Sequence, residues 1–197
     1  MGSDYFMADT EPDGLIVELT CRQFAKVWPN RLYIAYYQKI TEAYGASAIF
    51  AWQNRTVVGF LPFEPVNCGV PALPNCIHYV TGQFGEPDEA RSEMIAQSTA
   101  TPFADLHSKT LKVHCINVKQ AFRRRGLGSA MARYLVEWAR PQGWERIEGS
   151  AFLDGDWGWL PNVEFWEKVG FVRGNEKEST LEFGPSIGFH MDLKSKP

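Results

Sequence analysis

No stretch of this chain approaches the ~18–20 consecutive apolar residues that a bilayer-crossing helix needs, so no membrane association is expected. The start, Met1-Gly2-Ser3-Asp4-Tyr5-Phe6-Met7, lacks a basic region followed by an apolar core, and a signal peptide is not expected. Phe6 stands where a myristoylation signal wants Ser or Thr. The four cysteines (Cys21, Cys68, Cys76, Cys115) show no C-x-x-C spacing, so the expectation is free buried thiols in a reducing cytosol. A basic excess is missing too. Lys plus Arg number 20 against 23 Asp plus Glu, a formal net charge of −3, which argues against a general nucleic-acid partner. Repeats, low-complexity tracts and charge blocks are absent. What is present is 197 residues, 45% hydrophobic and 14% aromatic, enough apolar surface for one folded domain with a proper core.

Along the chain, residues 1–13 read as a loose polar tail, and 14–197 as a single domain. Leu15 to Leu19 suits a short strand. Cys21 to Tyr44 has helical spacing, broken by Pro29 and closed by Gly45. Ala48–Trp52 and Val57–Leu61 read as strands flanking a turn at Asn54, hence a hairpin. Pro62, Pro65, Pro71, Pro74, Gly69, Gly82 and Gly85 predict an irregular excursion over 62–85, with room for a short strand at Ile77–Val80. A helix is expected around Ala90–Ser98, then a strand over Leu111–Val118 and a helix over Gly126–Arg140. A strand over Arg146–Leu153, a short helix over Val163–Val169 and one or two closing strands between Phe171 and Leu193 follow. A hairpin followed by alternating strands and helices predicts an α+β (α/β mixed) sheet of six to seven strands, splayed and mostly antiparallel, with helices on both faces.

The chemistry concentrates in one segment. Strand Leu111–Val118 runs into Lys119-Gln120-Ala121-Phe122, then Arg123-Arg124-Arg125-Gly126-Leu127-Gly128-Ser129. Leu127, Met131, Tyr134, Leu135 and Trp138 share one helical face. The first N–H groups of such a helix have no partner within it and point outward. Gly126 and Gly128 remove side chains that would hold a ligand off that backbone. The positive end of the helix and the three arginines favour an anion, by chemistry a phosphate or pyrophosphate. A Walker A loop is excluded, because Leu127-Gly128-Ser129 follows Gly126 in place of Gly-Lys-Ser/Thr. A Rossmann fingerprint fits poorly, with Met131 at its third small position. Taken by themselves, the arginines also fit a solvated turn.

Val118-x-x-x-Phe122-Arg123-x-x-Gly126-x-Gly128-Ser129 resembles the acyl-CoA signature of the GNAT superfamily of N-acetyltransferases, whose core is Gln/Arg-x-x-Gly-x-Gly/Ala. Phe165-Trp166-Glu167-Lys168-Val169-Gly170-Phe171 resembles that superfamily's closing helix, commonly Tyr-Glu-Lys-Leu-Gly-Phe. The two motifs stand in the family's order with a strand between them. The match is close from Leu111 to Phe171 and only architectural before it; the 62–85 excursion has no clear counterpart.

The resemblance implies acetyl-CoA as cosubstrate and no metal. Backbone N–H groups from Arg124 to Ser129, within the Arg123–Ser129 loop, would hold the pyrophosphate. Ile116 and Val118 would pair their backbone with the pantetheine arm, and an N–H near Ile116 would face the developing oxyanion. Strand alternation puts Lys112, His114, Ile116 and Val118 on one face. His114 falls where arylalkylamine N-acetyltransferases carry a histidine, and imidazole can take the ammonium proton near neutral pH. It equally fits a strand histidine bonded to backbone. Glu64, Asp154 and Asp156 are rival bases or ammonium anchors, or solvated carboxylates. Trp157, Trp159 and Trp166 can wall an acceptor pocket or pack around a loop.

Trp166 is a departure, because the family usually has a tyrosine there to protonate the leaving thiolate. Indole N–H is a donor but no usable acid, so Trp166 packs or lines the site. Asn162 can contact CoA or cap the Val163 helix. The expected activity is N-acetylation of a small-molecule amine by a cytoplasmic monomer or homodimer. Acetylation of a protein or peptide amine, and non-catalytic acyl-CoA sensing, remain as alternatives.

Overall fold

The computed structural model describes residues 6–7, 16–19, 38, 40–53, 56–66, 109–113, 115–153, 161–177 and 186–194. His114, Asp154, Asp156, Trp157 and Trp159 lie outside these residues. So do the expected helix around Ala90–Ser98, the Ile77–Val80 strand and most of the Cys21–Tyr44 segment.

The described strands are β1 (Phe6–Met7), β2 (Ile16–Leu19), β3 (Ala48–Gln53), β4 (Thr56–Pro65), β5 (Thr110–Val113), β6 (Asn117–Val118), β7 (Arg146–Phe152), β8 (Val172–Lys177) and β9 (Ser186–Asp192). They form one sheet in the order β1-β2-β3-β4-β5-β7-β9-β8, with β6 paired to β4 off this path. Two of the nine, β1 and β6, are only two residues long. The remaining seven match the expected strand number. β5 and β7 run parallel; every other pair is antiparallel. Residues 40–44 are helical, and the helices with both ends described are α1 (Leu127–Ala139) and α2 (Val163–Val169), with a 3-10 turn at Gln120–Phe122 before α1.

The apolar periodicity of α1 does what it predicts. Leu127, Met131, Ala132, Leu135, Val136 and Ala139 are buried, and Tyr134 and Trp138 pack at the margin of the core. This face meets Ile49, Leu61, Phe63, Leu111, Val113 and Ile147 from the sheet. The opposite face is also covered, since Phe50 and Phe60 stack there at 6.4 Å and are almost fully buried. Helix α2 ends at Gly170 in the left-handed region (φ 99°), as its glycine predicts.

Three expectations are corrected. Phe6–Met7, inside the expected loose tail, pair with Val17 and Ile16 as the sheet's edge. The expected excursion does not begin at Pro62, because β4 continues through Pro62 to Pro65. Phe63 N–H donates towards β3, to the Ser47 carbonyl at 2.9 Å, so the neighbouring Pro62 nitrogen faces the other side. That side lies opposite an irregularity in the next strand, where the missing N–H breaks no ladder bond. Third, Cys115 is buried and disulfide-bonded, where a free thiol was expected. Local spacing reveals only local pairs, so a long-range disulfide leaves no such signature.

At the end of the sheet where β5, β7 and β9 align, Glu145 accepts from Lys194 at 2.8 Å and Lys109 at 3.4 Å. The hydrogen bond from Lys194, helped by Lys109, holds the Glu145 carboxyl below its ordinary value near 4.5. A lowered folded-state value means full stabilisation above the unfolded value, lost as pH falls through the folded one. Glu145→Gln should therefore lower the thermal midpoint slightly at pH 7. The difference from wild type should vanish as pH drops well below 4.5. A gap that persisted in acid would mean the ion pairs are not its source. The effect is small because all three side chains are solvent-accessible.

Candidate active site

The sheet opens because one strand changes partner. Among the described residues, β5 pairs with β7 over Thr110–Lys112, and none pairs with β7 on that side from Gly149 to Phe152. Beyond a break, the same chain resumes as β6 and stays with β4. The expected single strand Leu111–Val118 is thus two. Phe63 pairs with Val113 but Phe60 with Asn117, so three steps along β4 face four steps along its neighbour. That extra residue is a β-bulge, which bends a strand and shifts its facing by one.

The bulge corrects the expected alternation. Lys112 lies on the face opposite α1, but Ile116 and Val118 lie on the α1 side with Leu111 and Val113. Ile116 is 7% exposed and its side chain belongs to the core. Main-chain direction follows from one hydrogen bond. Lys119 N–H donates to the Val58 carbonyl at 2.8 Å. In an antiparallel ladder, inward and outward pairs alternate. The Val118 N–H and carbonyl therefore point away from β4, into the opening towards β7.

Beside this edge, the chain turns into α1. Gly126 is its N-cap with φ 82° and no side-chain cap, and no acidic residue occupies the first turn. Arg124 also adopts a left-handed conformation (φ 61°). Arg123, Arg124, Arg125 and Gly126 are exposed, and Ser129 is half-buried in the first turn. The first α1 N–H groups, at the positive end of the helix, thus open onto a basic loop. A Cβ built at Gly126 would meet nothing within 4 Å, so this position borders open space. Gly128 has a different reason. Its Cβ would press on Phe165 at 3.2 Å and lie 3.5 Å from Ile116, so this glycine brings α1 close to α2 and β6.

Asn162 caps α2, its Oδ1 accepting from Phe165 N–H at 2.8 Å. Its oxygen is taken up by the helix start. Trp166 is 1% exposed, and its indole N–H donates to the Ser150 carbonyl at 3.1 Å. Its ring lies against Gly149 and among Phe165, Phe171 and Phe189. Trp166 is therefore a core residue: of the two roles open to it, packing or lining the site, the fold gives it packing. The signal for this was Gly149, an isolated glycine within a strand, which marks a close approach. Glu64 is 4% exposed on β4, cross-strand from Lys112 and on the face opposite α1. Among the described residues, no group of three His, Cys, Asp or Glu is placed to hold a metal ion.

The arrangement joins an open strand edge to an anion-attracting helix start, so it can hold one extended ligand with an amide arm and a phosphate end. A family model, the acetyltransferase (GNAT) family, matches residues 15–171. No curated protein matches the chain by sequence. Among solved structures, the fold is similar to yncA from Salmonella typhimurium, a putative acetyltransferase solved with its cofactor acetyl-CoA. That match has a TM-score of 0.59 and 12% identity over 92% of this chain and 95% of the other. Ard1 from Thermoplasma volcanium matches with TM-score 0.56 and 13% identity, over 92% of this chain and 99% of its own. The ribosomal-protein-S18-alanine N-acetyltransferase from Escherichia coli matches at 0.51 and 11%, over 93% and 96%. With the family's pattern spanning most of its length, the chain belongs to the GNAT acetyltransferase family.

Proposed function

We propose that this protein moves the acetyl group of acetyl-CoA directly onto a primary amine of a small molecule. The observation that carries the reading is the Val118 edge, open towards β7 and adjoining the uncapped, basic start of α1. Ile116 and Val118 offer main-chain groups to the amide arm. Leu127 to Ser129 N–H groups, flanked by Arg124 and Arg125, receive the pyrophosphate.

His114 takes the proton of the acceptor ammonium, freeing the nitrogen lone pair. The nitrogen bonds to the acetyl carbon, the carbon–sulfur bond breaks, the sulfur keeps the electron pair, and the nitrogen's surplus proton passes to solvent as the neutral amide forms. A backbone N–H near Ile116 faces the oxygen that gains charge. With the Trp166 N–H committed to Ser150, that indole supplies no proton to the sulfur. A thiol with pKa near ~8.5 leaves adequately as thiolate. Glu64, Asp154 and Trp157 are the acceptor-side residues in this reading.

Calorimetric titration with acetyl-CoA, with NADH as control, tests the cofactor. Micromolar binding of the first and silence from the second are expected. Thiol release with a panel of small amines and free peptides then tests the acceptor. Faster release with peptides would move the acceptor to a protein. Binding without release from any amine would indicate a sensor. For the base, His114→Ala should lower kcat/KM most near neutral pH, above the ordinary imidazole value of ~6.5 and below that of the amine, where the imidazole can accept while the amine is still protonated. An unchanged pH–rate profile would remove His114 from that role.

A further inference from the structure

We propose that Arg123 is a positioning residue: its side chain ties the anion-binding loop to the open edge of β6, and does not serve as a phosphate ligand. This rests on the acetyl-CoA reading above. Arg123 Nε donates to the Val118 carbonyl at 2.9 Å. That carbonyl is one of the two Val118 groups turned away from β4. The intervening chain closes on itself, with Phe122 N–H on the Lys119 carbonyl at 2.8 Å and Arg123 N–H on the Gln120 carbonyl at 3.2 Å. Immediately afterwards come Arg124 at φ 61° and the Gly126 cap at φ 82°. The guanidinium therefore spans from the foot of the anion loop back to the strand edge. Arg125 is held differently, over the Phe122 ring at 5.7 Å.

A ligand that touches both the β6 edge and the start of α1 needs those two contacts at a fixed separation. The Arg123 bond sets that separation, because it joins the loop carrying one contact to the residue carrying the other. A ligand that uses only the anion end gains nothing from this tie. A carbonyl has two lone pairs, so the bond leaves Val118 able to accept from the ligand as well. What Arg123 must supply is a planar N–H donor at the right reach. Its charge is secondary.

The experiment compares Arg123→Ala, Arg123→Gln and Arg123→Lys with wild type by calorimetry, using acetyl-CoA and inorganic pyrophosphate as separate ligands. Arg123→Ala should weaken acetyl-CoA about tenfold, in line with loss of one charged hydrogen bond. Pyrophosphate affinity should be unchanged, which also shows that the variant is folded. Arg123→Gln, an uncharged planar donor, should restore acetyl-CoA binding to within about threefold of wild type. Loss of pyrophosphate affinity in both Ala and Gln variants, with Lys retaining it, would overturn the proposal in favour of a direct charge contact. Equal acetyl-CoA affinity in all four proteins would also overturn it while leaving the cofactor reading intact. Failure of wild type itself to bind acetyl-CoA would remove the cofactor reading and this proposal with it.

Discussion

Gly149→Ala should lower the thermal midpoint by roughly 5–10 °C, a loss of about 2–3 kcal/mol in a chain of this size. A Cβ at Gly149 would overlap three atoms of the Trp166 indole. The ring has little freedom to retreat. Phe171 stands 4.6 Å away centroid to centroid, Phe189 stacks at 6.3 Å, and the N–H is fixed on Ser150. A methyl group inserted under a packed, hydrogen-bonded ring forces strain, placing the effect high in the usual overpacking range. Gly188→Ala is the control. It sits on β9 opposite Ser150, and a Cβ there meets nothing within 4 Å. Its midpoint should move little. Adding Trp166→Phe to Gly149→Ala should cost less than the two changes summed, because the smaller ring yields the space. Thermal unfolding of wild type, the three single variants (Trp166→Phe among them) and the double variant decides it. Equal midpoints for the two glycine variants would mean the indole yields easily.

Gly126→Glu should weaken acetyl-CoA binding at least a hundredfold while leaving a folded protein. Two effects combine. At φ 82° any L side chain is strained, by about 1–2 kcal/mol in the left-handed region. The added carboxylate would stand in the open space beside the first turn of α1, satisfying the positive helix end from within and repelling a phosphate. Gly126→Asn separates the two, since asparagine tolerates the left-handed conformation and carries no charge. Its affinity should fall by no more than about tenfold. Titration of each variant with acetyl-CoA is the measurement. Undiminished affinity in folded Gly126→Glu would show that no anion sits at this helix start.

Much of this architecture was readable along the chain, for local reasons. Helix α1 begins one residue after a glycine and carries its apolar residues at helical spacing, so its bounds and buried face both follow from sequence. Asn162 and Gly170 bracket α2 because an accepting side chain starts a helix and a left-handed glycine ends it. The Ala48–Gln53 and Thr56–Pro65 hairpin was equally visible. The loop from Arg123 to Ser129 was legible too, since unpaired helix N–H groups attract anions whatever surrounds them.

Other features had no local trace. Simple alternation put Ile116 with Lys112. A one-residue bulge reversed it, and a bulge shows only in the register between strands distant in sequence. Gly128 looked like room for a ligand, and the fold gives that room to Phe165. Trp166 could pack or line the site; only the arrival of Gly149 beneath it and Ser150 beside it commits it to the core. The disulfide at Cys115 and the grip of Arg123 on Val118 are of the same kind. By itself the sequence determined the elements, their order, the family resemblance and the anion-attracting loop, because periodicity, caps and unpaired helix ends act within a few residues. Tertiary structure alone decided which backbone groups face the opening and which side chains close behind it, because those depend on strand register and on close approach between distant segments.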